Sequence, residues 1–343
     1  MTRIKHYDIH GIISLKLILE DTAFNNSSID EPFSFFETNS TDAPKITLIM
    51  NSKNKSSDVH QSVFRDYRIS KNYIAFSKKT GGSIFNVEIT GVEEDNLVVH
   101  FNWIKRSIKD RLLPNYFPQL FIIEPLIEFL LLRKGYILLP AAGISKGSSA
   151  ILLCGRSGSM KTPLTIEMLK NQNCSLLGDD KVIVNNEAVY SFPKNLHLFN
   201  YLFLKKNTIS EFNPLLQKIL CLLSSNDKKF DFKIKRKDKV QSLVFLVKER
   251  QLHVDFKIHS LSEDIAFEML INNNIAESSV SNVIAEALLA YSYIHKDFTI
   301  PSFQTASMII RALVQGCDKI VVVFIPDTCD QNMIGLLAEK FVP

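Results

Sequence analysis

The residues whose types and spacing suit chemistry lie within positions 151–184. An apolar run at 151–154 leads into Gly155-Arg156-Ser157-Gly158-Ser159-Met160-Lys161-Thr162, and a second apolar run ends at Asp179-Asp180. Small residues in such a turn let backbone N–H groups converge on phosphate oxygens, and a following helix adds the positive end of its dipole. The stretch therefore has the layout of a phosphate-binding loop between a strand and a helix, with carboxylates ending the next strand.

Each of these positions has a chemical role in that interpretation. Lys161 would hold the β and γ phosphates of a nucleotide as a point charge, and the Thr162 hydroxyl would bind Mg²⁺. Asp179 and Asp180 would complete the metal shell, and one of them would take the proton of an attacking hydroxyl. We favour Asp179 as this base because it comes first after the strand, and the reverse order stays open. The phosphates would lie against Gly155, Arg156, Ser157, Gly158, Ser159, Met160, Lys161 and Thr162.

Met160 departs from the usual pattern, in which a glycine precedes the lysine. A side chain at this position is expected to crowd the nucleotide or to force an unfavourable backbone angle. Pro163 fits the pattern, because a proline in the first helical turn removes no donor that the helix needs. The alternative interpretation is a Gly/Ser-rich turn before an ordinary helix, with two solvated aspartates.

The loop, together with Gly135-Tyr136-Ile137-Leu138-Leu139-Pro140-Ala141-Ala142 and Leu177-Gly178-Asp179-Asp180-Lys181-Val182, resembles the kinase domain of HPr kinase/phosphorylase. The relatives of that family include serine kinases encoded beside lasso-peptide pathways. The resemblance covers residues 134–194 and implies a P-loop domain similar to phosphoenolpyruvate carboxykinase. It also implies a requirement for ATP and Mg²⁺ and transfer of phosphate to a serine of a protein or peptide. Pro140 stands where the bifunctional enzyme has a histidine, which argues against histidine-assisted phosphorolysis.

Length and composition are those of an ordinary folded protein. The chain has 343 residues, of which 46% are hydrophobic and 22% are charged, and its net charge is +4. This length predicts two domains, and the modest charge does not indicate nucleic acid. The N-terminal 20 residues carry too many charges for a signal peptide. The most hydrophobic segment, 120–132, contains Glu124 and Glu128 and is too short to span a membrane, so we expect a core helix.

The cysteines indicate a reducing compartment. Five are present, and their odd number and scattered spacing fit neither a disulfide framework nor a metal site. We therefore expect free thiols in a cytoplasmic protein. The five positions are Cys154, Cys174, Cys221, Cys317 and Cys329.

Hydrophobic patterning predicts a β-rich N-terminal domain at 1–115 and an α/β domain with a mixed sheet at 116–343, and the resemblance implies that this second domain is a P-loop kinase-like domain. In the first, Thr80-Gly81-Gly82 is a predicted hairpin turn. Its strand-like segments are 4–19, 45–50, 73–77, 83–92 and 96–103. The second alternates predicted strands at 136–144, 149–154, 189–193, 243–247, 252–258 and 319–325 with predicted helices at 119–134, 261–272, 279–296, 301–315 and 330–340.

Other candidate functional residues give weaker signals. The basic segment 228–239, which interleaves lysines with Phe230 and Phe232, could face an acidic or phosphorylated partner. Edge-strand protection by solvated lysines is the interpretation we favour, and RNA binding is a third. Tyr190 or Phe192 could form a wall for a base, although core packing is expected of both.

The sequence thus predicts a cytoplasmic ATP-dependent kinase that phosphorylates a serine, or a similar hydroxyl, of a protein or peptide. One alternative is a non-catalytic nucleotide-binding scaffold with a degenerate loop, and another is a small-molecule kinase. The expected partners are a nucleotide and the acceptor, with no membrane and no nucleic acid. Relatives of the family are often oligomers, which leaves a homo-oligomer open.

Overall fold

The computed structural model describes residues 2–20, 31–50, 62–80, 82–105, 119–193, 232–250, 255–278, 283–300 and 303–342. Contacts divide the chain into two compact units, one of residues 1–134 with 280–303 and the other of 135–279 with 304–343. This division differs from the predicted boundary near 115, because the helix before residue 134 and a later helix both belong to the first unit.

Six α-helices lie in the described parts of the chain. They are α1 (Glu124–Arg133), α2 (Lys161–Met168), α3 (Glu263–Ser278), α4 (Val283–Ile294), α5 (Phe303–Gln315) and α6 (Gln331–Phe341). A π-helical turn, Gln119–Ile123, precedes α1, and a 3₁₀ turn, Glu31–Phe36, lies in the first unit. Asp330 caps α6 by accepting a hydrogen bond from the Met333 amide at 2.8 Å, as expected for an aspartate at an N-cap.

The first unit contains a mixed sheet with the strand order β3-β1-β2-β4-β9-β8-β7-β6-β5. Within it, β2, β4 and β9 run parallel to one another, and α1 and α4 contact the sheet. The strands are β1 (Arg3–Ile9), β2 (Ile13–Leu19), β3 (Glu37–Thr38), β4 (Ile46–Met50), β5 (Ser62–Phe64), β6 (Tyr67–Ser70), β7 (Tyr73–Thr80), β8 (Ser83–Thr90) and β9 (Leu97–Lys105).

Turn residues explain where the strands of this sheet match those predicted from the sequence and where they differ. The predicted run at 4–19 folds as the hairpin of β1 and β2, because His10 and Gly11 adopt φ angles of +57° and +71° that reverse the chain. The glycine turn after β7 is confirmed by the pairing of Thr80 with Ser83, and Gly82 has a φ of +86°. Gly81 lies outside the described residues.

The second unit also contains a mixed sheet, with the path β10-β14-β15-β16-β12-β11-β13 and β18 and β17 attached beyond β16. The pairs β12–β16 and β16–β18 are parallel, and the other pairs are antiparallel. The strands are β10 (Ile137–Leu139), β11 (Ala141–Lys146), β12 (Ser149–Cys154), β13 (Cys174–Gly178), β14 (Val182–Val184), β15 (Val189–Tyr190), β16 (Lys237–Glu249), β17 (Lys257–Ser260) and β18 (Lys319–Pro326).

Two strand predictions in this unit are wrong. The run at 136–144 is two strands, because Pro140 has no N–H to continue a ladder, and β10 pairs with β14 whereas β11 pairs with β12. The predicted strands 243–247 and 252–258 are not paired with each other across a turn at 248–251, because β16 extends from 237 to 249 and β17 pairs with β18. Residues 251–254 lie outside the described parts.

Helix α2 is held against the sheet by an apolar cluster. Leu164 and Met168 of α2 pack with Leu153 of β12, Val323 of β18 and Leu337 of α6. Full burial of each such side chain stabilises the fold by roughly 1.5–3 kcal/mol relative to its exposure. The start of α2 is therefore fixed relative to the end of β12. No helix in the described residues is both long enough and apolar enough to cross a membrane.

Candidate functional site

Four strands of the second unit end at the same edge of the sheet. Strands β12, β16 and β18 are parallel neighbours, and β13 runs parallel to β12 because both are antiparallel to β11. Gly143 of β11 pairs with both Leu152 and Gly178, so the last residue of β13 lies level with Leu152, two residues before the end of β12. The topology thus brings Asp179-Asp180 and the loop at residues 155–160, the Gly155 loop, to one edge, two strand spacings or about 10 Å apart.

The Gly155 loop needs unusual backbone angles at its start. Gly155 has a φ of +151°. A Cβ at this position would lie 2.7 Å from the Leu246 carbonyl oxygen of β16 and 2.6 Å from Ser159 Oγ. The Ser159 amide donates to the Arg156 carbonyl oxygen at 3.1 Å, which closes the turn. Only glycine therefore fits at residue 155 without moving the neighbouring strand.

Lys161 is the first residue of α2. Its Nζ donates to the carbonyl oxygen of Gly155, and to that of Arg156 at 3.2 Å, so the side chain lies along the loop. The amides in the first turn of α2 have no carbonyl one turn earlier to receive them, and the helix dipole makes this end positive. Lysine, amides and dipole therefore all favour an anion at the loop.

A cavity of about 490 Å³ lies beside the Gly155 loop. Its walls are the loop, the carboxyl end of β16 and one face of α3. Arg156 and Lys248 are charged, and among the described residues no carboxylate lines it. Its composition therefore favours an anionic ligand. The lining residues are Gly155, Arg156, Ser157, Gly158, Ser159, Phe245, Leu246, Val247, Lys248, Met269, Asn272, Asn273 and Ala276.

The unfavourable backbone angle expected at Met160 is confirmed. Met160 has a φ of +72° in the left-handed region, which costs a non-glycine residue roughly 1–2 kcal/mol. Its half-buried side chain packs against the apolar cluster around α2 and is absent from the cavity lining. Packing therefore offsets part of the backbone strain, and the methionine does not occupy the cavity beside the loop.

The aspartate pair follows β13 directly. A Cβ at Gly178 would lie 2.2 Å from the Lys181 carbonyl oxygen, so the chain turns tightly here and glycine is required. Asp179 is half-buried and Asp180 is exposed. Neither aspartate lines the cavity described above. The tight turn thus holds the two carboxylates at the sheet edge that also carries the Gly155 loop.

The described residues contain no group of three or more histidine, cysteine, aspartate or glutamate side chains placed to hold a metal ion. Protein-bound Mg²⁺ commonly takes one or two carboxylates and completes its shell with water and substrate phosphates. Thr162 is half-buried and, with one aspartate, supplies oxygen atoms of the kind that this mode uses. A magnesium ion held by them would take its remaining ligands from water and from bound phosphates.

Cys154 ends the strand that leads into the loop. It is fully buried, and this burial raises the pKa of its thiol to about 12 against the smaller opposing effect of the Lys161 charge. The thiol is therefore protonated at neutral pH and is not a nucleophile. The described cysteines, Cys154, Cys174, Cys317 and Cys329, are free thiols as predicted, and Cys221 lies outside the described residues.

Other candidates from the sequence have structural contacts. Phe192 is buried in the core as expected, and Tyr190 contacts the ring of Tyr136. The basic segment is described only from residue 232. In it, Lys235 donates to buried Asp238 at 2.8 Å, and Asp238 also accepts from Ser145 Oγ at 2.6 Å. This part of the segment therefore makes internal contacts in addition to presenting charge to solvent.

Sequence reasoning did not identify Lys248 or the α3 wall as part of a site. They follow the loop by about ninety residues or more, and no local motif marks them. Parallel pairing of β12 with β16 brings Lys248 to the loop, so only the tertiary fold reveals it.

Comparisons with known proteins give little further information. No family model matches the sequence, and no curated protein matches it. Among solved structures, the chain has a weak likeness to the HPr(Ser) kinase/phosphatase from Coxiella burnetii, with 10% identity and a TM-score of 0.25. The match covers 60% of this chain and 93% of that chain. A likeness at this level supports no argument about function, which has to come from the residues of the chain itself.

Proposed function

We propose that this protein is a kinase that binds ATP with Mg²⁺ at the Gly155 loop and transfers the γ-phosphate to a serine of a protein or peptide. One arrangement supports this most strongly. Lys161 begins a helix after a glycine-dependent turn at the end of a parallel strand, and Asp179-Asp180 follows another parallel strand at the same edge. This is the set of groups that phosphoryl transfer uses for positioning and charge neutralisation.

Different residues of the chain would bind the phosphates, hold the metal ion and accept the proton. The loop amides, the start of α2 and Lys161 would hold the phosphates, since all three favour negative charge. Thr162 and one aspartate would hold Mg²⁺, which supplies charge neutralisation on the transferred group. The other aspartate would accept the proton of the serine hydroxyl, and we assign this role to Asp179.

The cavity and the thiols support two further parts of the proposal. Arg156 and Lys248 add positive charge to the cavity beside the loop, as an anionic nucleotide requires. Met160 packs against the core and does not line that cavity, which favours a working loop over a degenerate one. The free thiols agree with a cytoplasmic location.

Turnover kinetics test this proposal. The protein would be incubated with Mg-ATP and a panel of serine-containing peptides, and ADP release and phosphoserine would be measured. Lys161→Ala and Asp179→Asn should each lower the rate at least about a hundredfold, because each removes a group that acts on the transferred phosphate. Exposed Asp327 follows β18 at the same edge, so Asp327→Asn is the matched control and should stay within about threefold of wild type.

Thermal unfolding of each variant would show that it is folded. Activity of Lys161→Ala close to that of the wild type would contradict the proposal. Tight nucleotide binding with no transfer to any hydroxyl would instead favour the scaffold alternative.

A further inference from the structure

The cavity beside the Gly155 loop has walls of two chemical kinds. The loop, Arg156 and Lys248 form a cationic wall, whereas Phe245, Val247, Met269 and Ala276 present apolar surface. A volume of about 490 Å³ is ample for a nucleoside. A ligand that fills it would combine an anionic group with a flat apolar group, and a nucleotide has both.

One face of α3 forms a wall of the cavity, although its residues are more than a hundred positions after the loop in the sequence. Its lining residues are Met269, Asn272, Asn273 and Ala276, which recur at the three- and four-residue spacing of a single helix face. The two amide side chains of this face, Asn272 and Asn273, lie between Met269 and Ala276 along the helix. A base held against this face would therefore meet both apolar surface and an amide group.

Asn273 is the buried member of this face, with 8% of its surface exposed. Its Nδ2 donates to the Pro140 carbonyl oxygen at 3.1 Å. A carbonyl oxygen can only accept, so this contact fixes which end of the amide is NH₂ and directs Oδ1 elsewhere. Oδ1 is buried and accepts no hydrogen bond from any described residue. A buried acceptor of this kind favours a ligand that brings a donor.

We propose that Asn273 Oδ1 accepts a hydrogen bond from the exocyclic amine of a nucleotide base held between α3 and the end of β16. The site then selects an amino-purine triphosphate, such as ATP, over a nucleotide whose base lacks the amine. This inference rests on the proposed function and adds the specificity for the phosphate donor. The bond satisfies an acceptor that has no partner among the described residues.

Calorimetric titration with two nucleotides tests the assignment. ATP and purine riboside triphosphate differ only in the exocyclic amine, so the ratio of their dissociation constants with Mg²⁺ reports the hydrogen bond. Wild type should bind ATP about tenfold or more tightly than the analogue. In Asn273→Leu, which keeps a similar volume but has no acceptor, the ratio should fall to about one.

Asn274→Leu is the matched control. Asn274 is the next residue of α3 and also has a buried Oδ1 without a partner in the described residues, but it does not line the cavity. This variant should keep the wild-type preference for ATP. A loss of preference in both variants would show that the helix as a whole, and not Asn273, governs selection, and would overturn the assignment.

The two proposals can fail separately. Equal binding of both nucleotides by wild type, abolished by Lys161→Ala, would overturn the role of Asn273 and leave the nucleotide site intact. No binding of either nucleotide would overturn both proposals. Equal binding by wild type overturns the role of Asn273 even where Asn273→Leu fails to fold.

Discussion

Lys161 donates through Nζ to the carbonyl oxygen of Gly155, so the first residue of α2 closes back on the first residue of the loop. Gly155 in turn lies against β16, where a Cβ would meet the Leu246 carbonyl oxygen. The lysine, the loop and the strand are thus linked by direct contacts. A phosphate oxygen would compete well for the ammonium group, because hydrogen bonds between two charged groups are stronger than those to a neutral carbonyl.

Gly155→Ala is expected to destabilise the protein by about 1–3 kcal/mol, because the new Cβ would meet the β16 backbone and the side chain of Ser159. Gly158→Ala is the matched control. Gly158 has a φ of +83° with open space where a Cβ would lie, so only the backbone angle is penalised, by about 1 kcal/mol. Denaturant unfolding measures both. Equal losses would show that contact with β16 does not constrain the loop.

Met160→Gly is expected to change the free energy of unfolding by less than about 1 kcal/mol. The variant relieves a left-handed backbone angle but loses the packing of a half-buried side chain, and these effects are similar in size. Met160→Ala keeps the strain and loses the packing, so it should cost about 1–2 kcal/mol. Urea titrations of the three proteins compare them. A large stabilisation by glycine would mean that packing contributes nothing at this position.

The buried thiol of Cys154 predicts a loss of stability at alkaline pH. Its folded pKa is about 12 because of burial, whereas an unfolded thiol ionises near pH 8.5. Below the unfolded pKa both states are protonated and this stability is fully present. As pH rises towards the folded pKa only the unfolded state ionises, so stability falls by about 1.4 kcal/mol per pH unit.

Cys154→Ala isolates this effect from other titrating groups. Between pH 8 and pH 10, the wild type should lose about 2 kcal/mol more stability than the variant. Cys317 is half-buried and also has a pKa raised to about 12 by burial, so Cys317→Ala should give a difference of the same sign but smaller, because solvent screens this thiol. Guanidinium unfolding at a series of pH values measures these slopes. Parallel slopes for wild type and both variants would contradict burial of the two thiols.

The contact between Lys235 and Asp238 predicts a stability effect unrelated to catalysis. Lys235→Met would remove the cation from a buried carboxylate, and Ser145 Oγ would remain its side-chain donor. Since Lys235 is itself 36% exposed, we expect a loss of only about 1–3 kcal/mol. The control is Lys170→Met, which breaks a more exposed pair with Glu167 and should cost less than about 0.5 kcal/mol. Equal thermal shifts would mean that burial of Asp238 does not strengthen its pair.

The parts of the site that are local in sequence were predictable. Gly155, Lys161 and the aspartate pair belong to one strand, turn, helix and strand, whose pattern lies within a few dozen residues. The strained angle at Met160 was predictable because glycine is usual at this position of the turn, and a residue with a side chain takes the same backbone angle at a cost. The cavity walls were not predictable, because Lys248 and Asn273 reach the loop only through parallel strand pairing and helix placement.

The strand errors have local and non-local causes. Pro140 separates two strands that hydrophobic patterning alone predicts as one. His10 adopts a left-handed backbone angle that its residue type does not predict. The pairing of β17 with β18 depends on segments about sixty residues apart, which periodicity cannot connect. Patterning therefore located most strands but not all of their partners.

Titration of ATP into the protein, with and without Mg²⁺ and repeated for Lys161→Ala, tests whether the Gly155 loop binds a nucleotide. Wild type should show magnesium-dependent binding, and the affinity of the variant should be weakened at least about tenfold, because the lysine supplies a charged hydrogen bond. Absence of binding by the folded wild type, or equal binding by the variant, would contradict a nucleotide site at the Gly155 loop.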